Sequence, residues 1–323
     1  MSGPVRADAL DPTEGDLAAL GARYGLTSLE RVGGFENLIY RSDERDGVVL
    51  RLTHTSRRSV ADVEAETAFM EHLATHDVPV VAPVRSESGA LSEEFTLADG
   101  TPIVTYAMTE APGRIVGPRD WTDGHLVAHG DLLGRAHLAA ASFEPTGPRR
   151  PAWTDPVFDP GTGVLGDDDF TRAWQAGRSR AAAALGGETD LLIHQDAHFW
   201  NVHVTGEGSL TLFDFDDCAY GSAIHDIAIV LFYWLLTSWD DHDAAARRFL
   251  DKVLEGHSRH VPLPAGWPDA IDRIMQVREA DIYLLVTLDD EEWGDDITRW
   301  MDGRRERILD GVPLLGRALA DVL

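Results

Sequence analysis

The sequence predicts an α+β chain of two lobes, a small β-sheet with one helix followed by a larger, mainly helical half. Three observations predict it. Short apolar runs broken by glycine turns recur through roughly the first hundred residues. A single long helical pattern, 59–76, interrupts them. Beyond Pro112-Gly113 long helical patterns dominate, and one hairpin pattern interrupts those in turn. A chain of 323 residues has room for two such units. The boundary is placed so that residues 1–108 form the first lobe and 109–323 the second.

Residues 17–24 read as a short helix that stops at Gly25. Residues 29–31, 38–41 and 48–52 read as strands, with turn chemistry supplied by Gly33-Gly34 and Asp46-Gly47. Across 59–76, Val63, Met70 and Leu73 share one stripe, and Pro79 and Pro83 follow its end. Residues 103–108 read as one further strand. The second half shows helical patterns over 126–141, 170–185 and 222–236, with more after Asp243. Strands over 202–205 and 210–213, joined by Gly206-Glu207-Gly208, form the hairpin.

The composition is that of a folded globular chain, 44% hydrophobic and 26% charged. Lys and Arg number 28 against 55 Asp and Glu, a formal net charge of −27. Such a surface repels phosphate backbones and anionic lipid, so neither nucleic acid nor membrane is expected as a partner, and a charged ligand is expected to be cationic. The same charge also serves solubility or a salty cytoplasm. With Cys218 the lone cysteine, no intramolecular disulfide and no cysteine-built metal site can form, and a cytoplasmic location is expected. Residues 1–20 carry Asp8, Asp11, Glu14 and Asp16 and lack the order of a secretory signal. The longest apolar run, 227–236, is too short to cross a bilayer.

Residues 193–201 read Ile-His-Gln-Asp-Ala-His-Phe-Trp-Asn. The spacing of His194, Asp196 and Asn201 is that of a phosphoryl-transfer catalytic loop. The chemistry needs a carboxylate beside the attacking hydroxyl, to orient it and take its proton, and an oxygen ligand for a magnesium ion nearby. Asp196 suits the first role and Asn201 the second. Asn201 opens the first hairpin strand and Asp214 closes the second, so folding the hairpin brings the two together at its open end. Carboxylate and amide oxygens converging there suit a hard cation; mere strand capping is the alternative.

In the first lobe, Arg51 ends a strand rich in Val and Leu, and Glu66 falls on the apolar stripe of the following helix. A carboxylate there needs a partner, and Arg51 paired to it would be held against nucleotide phosphates. A surface accident of the helix is the alternative. Gly33, Gly34, Phe35, Glu36 and Asn37 occupy the turn between the first two strands, where backbone N–H groups can lie over phosphates, although any hairpin can use such glycines. His198 and His203 share no clear face and are read as hydrogen-bonding residues.

At these residues the chain resembles the aminoglycoside phosphotransferase and choline kinase family. The likeness is carried by 33–51 with Glu66, by 106–114, and above all by 194–226, which has the family's His-x-Asp-x-His-x-x-Asn loop, a hairpin, an acidic strand end and an Asp-bearing apolar helix. The resemblance implies a bilobal protein-kinase-like fold, with a nucleotide-binding first lobe and a second lobe that holds the catalytic loop and the acceptor. It implies ATP and magnesium, with Asp196 as catalytic base and Asn201 and Asp214 as metal ligands. Arg51 and Glu66 become the nucleotide-phosphate pair, and the stretch from Tyr106 through Met108 to Glu110 becomes the hinge that receives adenine. Asp226 becomes a structural aspartate bracing the catalytic loop. The sequence departs from the family pattern with Gln195 in place of Gly, with Arg51 where Lys is common, and with no glycine in Asp214-Phe215-Asp216. The run Asp216-Asp217 is read either as help for a second magnesium or as solvated.

The expected function is phosphorylation of a hydroxyl on a small molecule, an aminoglycoside-like antibiotic or a related metabolite. The alternatives are a protein Ser/Thr kinase and a nucleotide-binding regulator without turnover; the intact Asp196, Asn201 and Asp214 favour an enzyme. Acceptor choice is expected from the second lobe. There Asp240, Asp241, Asp243 and the acidic run 289–296 are interleaved with Trp239, Trp293 and Trp300, either to hold a cation or as a solvent face.

Overall fold

The computed structural model describes residues 10–34, 37–145, 147–158, 168–185, 191–206, 208–237, 241–288, 298 and 300–323. Three helices start by the same local chemistry. Thr13, Ser59 and Thr122 accept from the backbone of Asp16, Asp62 and His125, whose side chains bond back to the cap N–H groups, so the first-turn donors that a helix leaves unpaired are met. They open α1 (Glu14–Arg23), α2 (Val60–Thr75) and α3 (Asp123–Ala140).

The first half holds β1 (Glu30–Gly33), β2 (Leu38–Ser42), β3 (Val48–His54), β4 (Pro83–Val84), β5 (Glu93–Thr96) and β6 (Pro102–Thr109). They form one antiparallel sheet in the order β1-β2-β3-β6-β4, with β5 also on β6. Period-two alternation splits β6 between two cores. Ile103 and Ala107 join Leu20, Tyr24, Leu38 and Leu50, whereas Val104, Tyr106 and Met108 join a larger cluster. That cluster takes in Phe69, Met70 and Leu73 of α2 and continues into the helical half, so one core spans the junction between the lobes.

The second half contains β7 (Arg114–Ile115), α4 (Asp169–Ala184), β8 (Leu191–Ile193), β9 (Val202–Gly206), β10 (Ser209–Leu212), β11 (Ala219–Gly221), α5 (Ala223–Leu236), α6 (His242–His257), α7 (Trp267–Leu288) and α8 (Arg304–Leu309). β9 pairs with β10 and β7, and β8 pairs with β11. Helix α5 is apolar almost all round and buried along most of its length, as a central helix must be. Helices α3 and α6 meet closely: a Cβ on Gly130 would lie 1.9 Å from the Val253 carbonyl oxygen, so only glycine fits there. Among the described residues no helix is long and apolar enough to cross a membrane.

Candidate active site

The β9–β10 hairpin is closed at its open end by Phe213 N–H donating to the Asn201 carbonyl at 3.0 Å. Asn201 and Asp214 therefore emerge side by side. The Asn201 amide nitrogen donates to the Asp196 carbonyl at 2.8 Å and to Asp196 Oδ2 at 3.2 Å, which joins the expected base to one of the two expected metal ligands. Gln195 and Asp214 sit in the left-handed region, with φ of 69° and 66°, a conformation that strains residues other than glycine and that concentrates at functional sites.

Asp226, in the first turn of α5, holds the strained loop. Its Oδ1 accepts from Gln195 N–H at 2.7 Å, and its Oδ2 accepts from His194 N–H at 3.2 Å and lies 2.9 Å from His137 Nε2. His137 Nδ1 in turn lies 3.0 Å from His257 Nε2. Burial pushes the Asp226 carboxyl up, but His137, His194 and the Gln195 N–H together outweigh it and hold the group below its ordinary range.

Asp196 is half-buried and still anionic. Burial works to raise its carboxyl, and His198 and Arg278 overcome that and hold it far below the carboxylate range. Arg278 Nη2 donates to Oδ1 at 2.7 Å, and His198 Nε2 lies 3.3 Å from Oδ2. Arg278 also donates to the Tyr233 hydroxyl at 2.6 Å. A carboxylate offers about four lone-pair positions; with Arg278, His198 and Asn201 in place, room is left for one incoming hydroxyl. A cavity of about 270 Å³ opens beside Gln195 and Arg278, walled by Trp153, Arg178, Asp217 and His225 and by Ile229, Ile274 and Leu285. Gln195 Oε1, His225 Nδ1 and Trp153 Nε1 are buried without a hydrogen-bond partner, as expected of groups that await a ligand.

The first lobe corrects three expectations. Arg51 does not pair directly with Glu66. It bonds Asp214 at 3.0 Å and forms an ion pair with Asp216, while Glu66 Oε1 accepts from the Tyr106 hydroxyl at 2.6 Å. Cross-strand register explains this: Tyr106 sits opposite Arg51 on β6, and its phenol fills the gap. Tyr106 is consequently buried within β6 and Met108 is buried one residue before its end, so neither is an open hinge; the chain leaves β6 only after Thr109. Asn37 is also buried, its amide nitrogen bonded to Asp216 and its oxygen to Thr53, so its side chain is spent inside the fold. Gly33 and Gly34 are exposed at the loop. At Gly34, φ is 123° and a Cβ would lie 1.7 Å from the Asn37 carbonyl oxygen. Phe35 and Glu36 lie outside the described residues.

Asp216 and Asp217 are not a solvated pair: Asp216 is buried, and Asp217, whose side chain is 47% exposed, lies 3.3 Å from Arg58. His203 Nδ1 lies 2.9 Å from the Ala111 carbonyl oxygen. Of the acidic and aromatic residues expected to choose the acceptor, Asp241 caps α6, Asp243 pairs with Arg317 and Trp300 stacks on Arg304. Asp240, Trp239, Trp293 and the run 289–296 fall outside the described residues. Sequence reasoning missed Arg278, Asp216 as a partner of Arg51, and the cavity wall; no local pattern marks them.

The donor set suits magnesium. Asn201 spends its nitrogen on Asp196, which leaves its oxygen to a metal, and the Asp214 side chain is 43% exposed, with Arg51 on its Oδ1. One carboxylate and one amide oxygen, completed by nucleotide phosphates and water, is how this cation is usually held.

A profile of the phosphotransferase enzyme family matches residues 28–263. The chain is 25% identical over 311 residues to amicoumacin kinase of Bacillus subtilis, covering 92% of each. It is 30% identical over 261 residues to a homoserine kinase of Acidiphilium cryptum, covering 79% of this chain and 77% of that one. Among solved structures, an amicoumacin kinase in complex with AMP-PNP, Ca2+ and Ami superposes with a TM-score of 0.80 at 24% identity, over 91% of this chain and 92% of that one. At that identity the superposition speaks for the fold.

Proposed function

The chain belongs to the phosphotransferase enzyme family, and from that premise we propose that it is an ATP-dependent kinase that phosphorylates a hydroxyl of a small molecule, with Asp196 as the base. The observation that carries the reading is the convergence of Asp196, Asn201 and Asp214 at the mouth of one hairpin, with Arg51 reaching Asp214 from the other lobe. Residues 1–108 supply the nucleotide side and 109–323 the acceptor side. An acceptor in the cavity beside Gln195 and Arg278 would present its hydroxyl to the open position on Asp196, which orients it and takes its proton as the phosphoryl group transfers. Asn201 and Asp214 would hold magnesium, which when bound neutralises charge on the transferring phosphates. Arg51 contributes a fixed positive charge on the same side.

The relatives' names suggest an antibiotic or an amino-acid-like alcohol as acceptor. The cavity wall carries both Arg178 and Arg278 and both Asp217 and Asp281, which suits a polar acceptor with groups of either sign. The use of ATP fits a cytoplasmic protein.

Purified protein with ATP and magnesium, screened against amicoumacin, aminoglycosides, homoserine and choline, tests the reading. The expected result is ADP release stimulated by one member, with a phosphorylated product by mass spectrometry. Phosphate appearing only on serine or threonine of added protein would favour the protein-kinase alternative.

A further inference from the structure

We propose that Asp216, rather than Glu66, is the residue that positions Arg51 for the phosphates of ATP. The proposal rests on the kinase reading above and concerns its nucleotide side. Arg51 is a buried guanidinium on β3. Its Nη2 is ion-paired with Asp216, its Nη1 lies 3.0 Å from Asp214 and 3.4 Å from the Tyr106 hydroxyl, and its Nε is buried without a partner. Glu66 touches none of these nitrogens: Oε1 accepts from Tyr106, and Oε2 is buried with no partner at all. Burial, and then the nearby Asp216 charge, push the Glu66 carboxyl up to about 7, so it is a poor counter-charge for a cation.

Asp216, by contrast, touches the guanidinium directly and is immobilised. Asn37 donates to its Oδ2 at 3.1 Å and is itself fixed by Thr53, while Arg58 lies 3.9 Å away. Arg150, buried in the second lobe, donates to the carbonyls of Asp216 and Cys218 at 2.5 and 2.7 Å and fixes the main chain from below. A carboxylate held by both lobes stays in place when a phosphate arrives. The other edge of the guanidinium faces Asp214, whose side chain is 43% exposed against 11% for Asp216. That edge is the one free to turn to phosphate, while Nη2 stays anchored. Asp214-Phe215-Asp216 thereby supplies both a ligand for the nucleotide's metal and the anchor for the phosphate-binding cation.

A rival account makes Asp216 a latch that competes with phosphate for Arg51. The two differ in sign. Calorimetric titration of ATP into wild type, Asp216→Asn, Glu66→Gln, Arg51→Gln and the Arg51→Gln/Asp216→Asn double variant decides between them, with thermal melts confirming the fold of each. The expected result is a loss of ATP affinity of about tenfold or more for Asp216→Asn, the scale of one charge-assisted hydrogen bond, and of less than about threefold for Glu66→Gln. In the Arg51→Gln background, Asp216→Asn should add little, because Asp216 acts through Arg51. Tighter ATP binding by Asp216→Asn would overturn the proposal in favour of the latch. Glu66→Gln is isosteric, so if Asp216→Asn does not fold, a tenfold loss in Glu66→Gln still refutes the proposal. Wild type that binds no ATP would overturn the kinase reading and this inference with it.

Discussion

Arg278 of α7 donates to Asp196 at 2.7 Å across 82 residues of sequence, so the carboxylate at the centre of the site is held by a helix that also walls the acceptor cavity. Its guanidinium lies 5.2 Å over the Tyr233 ring and bonds that residue's hydroxyl, which leaves it little freedom to turn away.

Arg278→Gln cannot keep both contacts. A hydrogen bond to a charged group is worth about 1.5–3 kcal/mol, so kcat should fall roughly ten- to a hundredfold while the Kd for ATP stays the same. Arg278→Lys should recover part of the loss. A steady-state comparison with calorimetry of nucleotide binding checks it, and equal losses in both variants and in ATP affinity would point to damaged packing instead.

Asp226→Ala should be costly to the fold. It removes the acceptor for two loop N–H groups and for His137, leaving buried donors unpaired, at about 3–5 kcal/mol for a buried, charge-bearing network. Chemical denaturation should show the midpoint fall by a matching amount, and catalysis should fail with it because Gln195 loses the bond that holds its left-handed conformation. A stability within about 1 kcal/mol of wild type would mean that the loop is held some other way.

Glu66 gives a pH signature. Its carboxyl is raised from 4.5 to about 7 in the fold. Between those values the unfolded chain has released the proton and the folded chain retains it, so wild type loses stability as pH rises through that window. Below 4.5 both states are protonated and the penalty is absent. Glu66→Gln, which can still accept from Tyr106, should abolish this slope and gain on the order of 1–3 kcal/mol over wild type at pH 7.5 relative to pH 4.5. Parallel stability curves for the two proteins would contradict the assignment.

Gly34→Ala tests the loop over the nucleotide. With φ at 123° and the Asn37 carbonyl oxygen 1.7 Å from the new Cβ, the turn must rearrange at a cost of about 1–3 kcal/mol. ATP affinity should drop about tenfold. Unaltered affinity would remove this loop from the nucleotide site.

What the sequence revealed of the site was its local part. Asn201 and Asp214 flank one hairpin whose turn is marked by glycines, so simple folding brings them together, and Asp196 stands within hydrogen-bonding reach because the loop is short. The distant contacts were not legible. Asp216 meets Arg51 across 165 residues, and Arg278 reaches Asp196 from a helix whose pattern gives no reason to single out one arginine. Glu66 shows why the obvious partner can be the wrong one: opposite charges on a neighbouring strand and helix suggested a pair, and a buried tyrosine hydroxyl took the space between them. In the fold, β8 and β11 have three residues each, too few to show a period, whereas α2 and β6 were plain from their spacing.

The most direct test of the kinase reading is single-turnover phosphorylation by Asp196→Asn beside ATP binding by calorimetry, using the acceptor that the substrate screen identifies. The substitution keeps the shape of the side chain and can still accept from Arg278, but it removes the charge and the proton acceptor. ATP affinity should survive, and the rate of the chemical step should fall by roughly 10²–10⁴-fold, the contribution of a positioned general base. Near-normal turnover in a variant that binds ATP normally would contradict the assignment of Asp196 as the base.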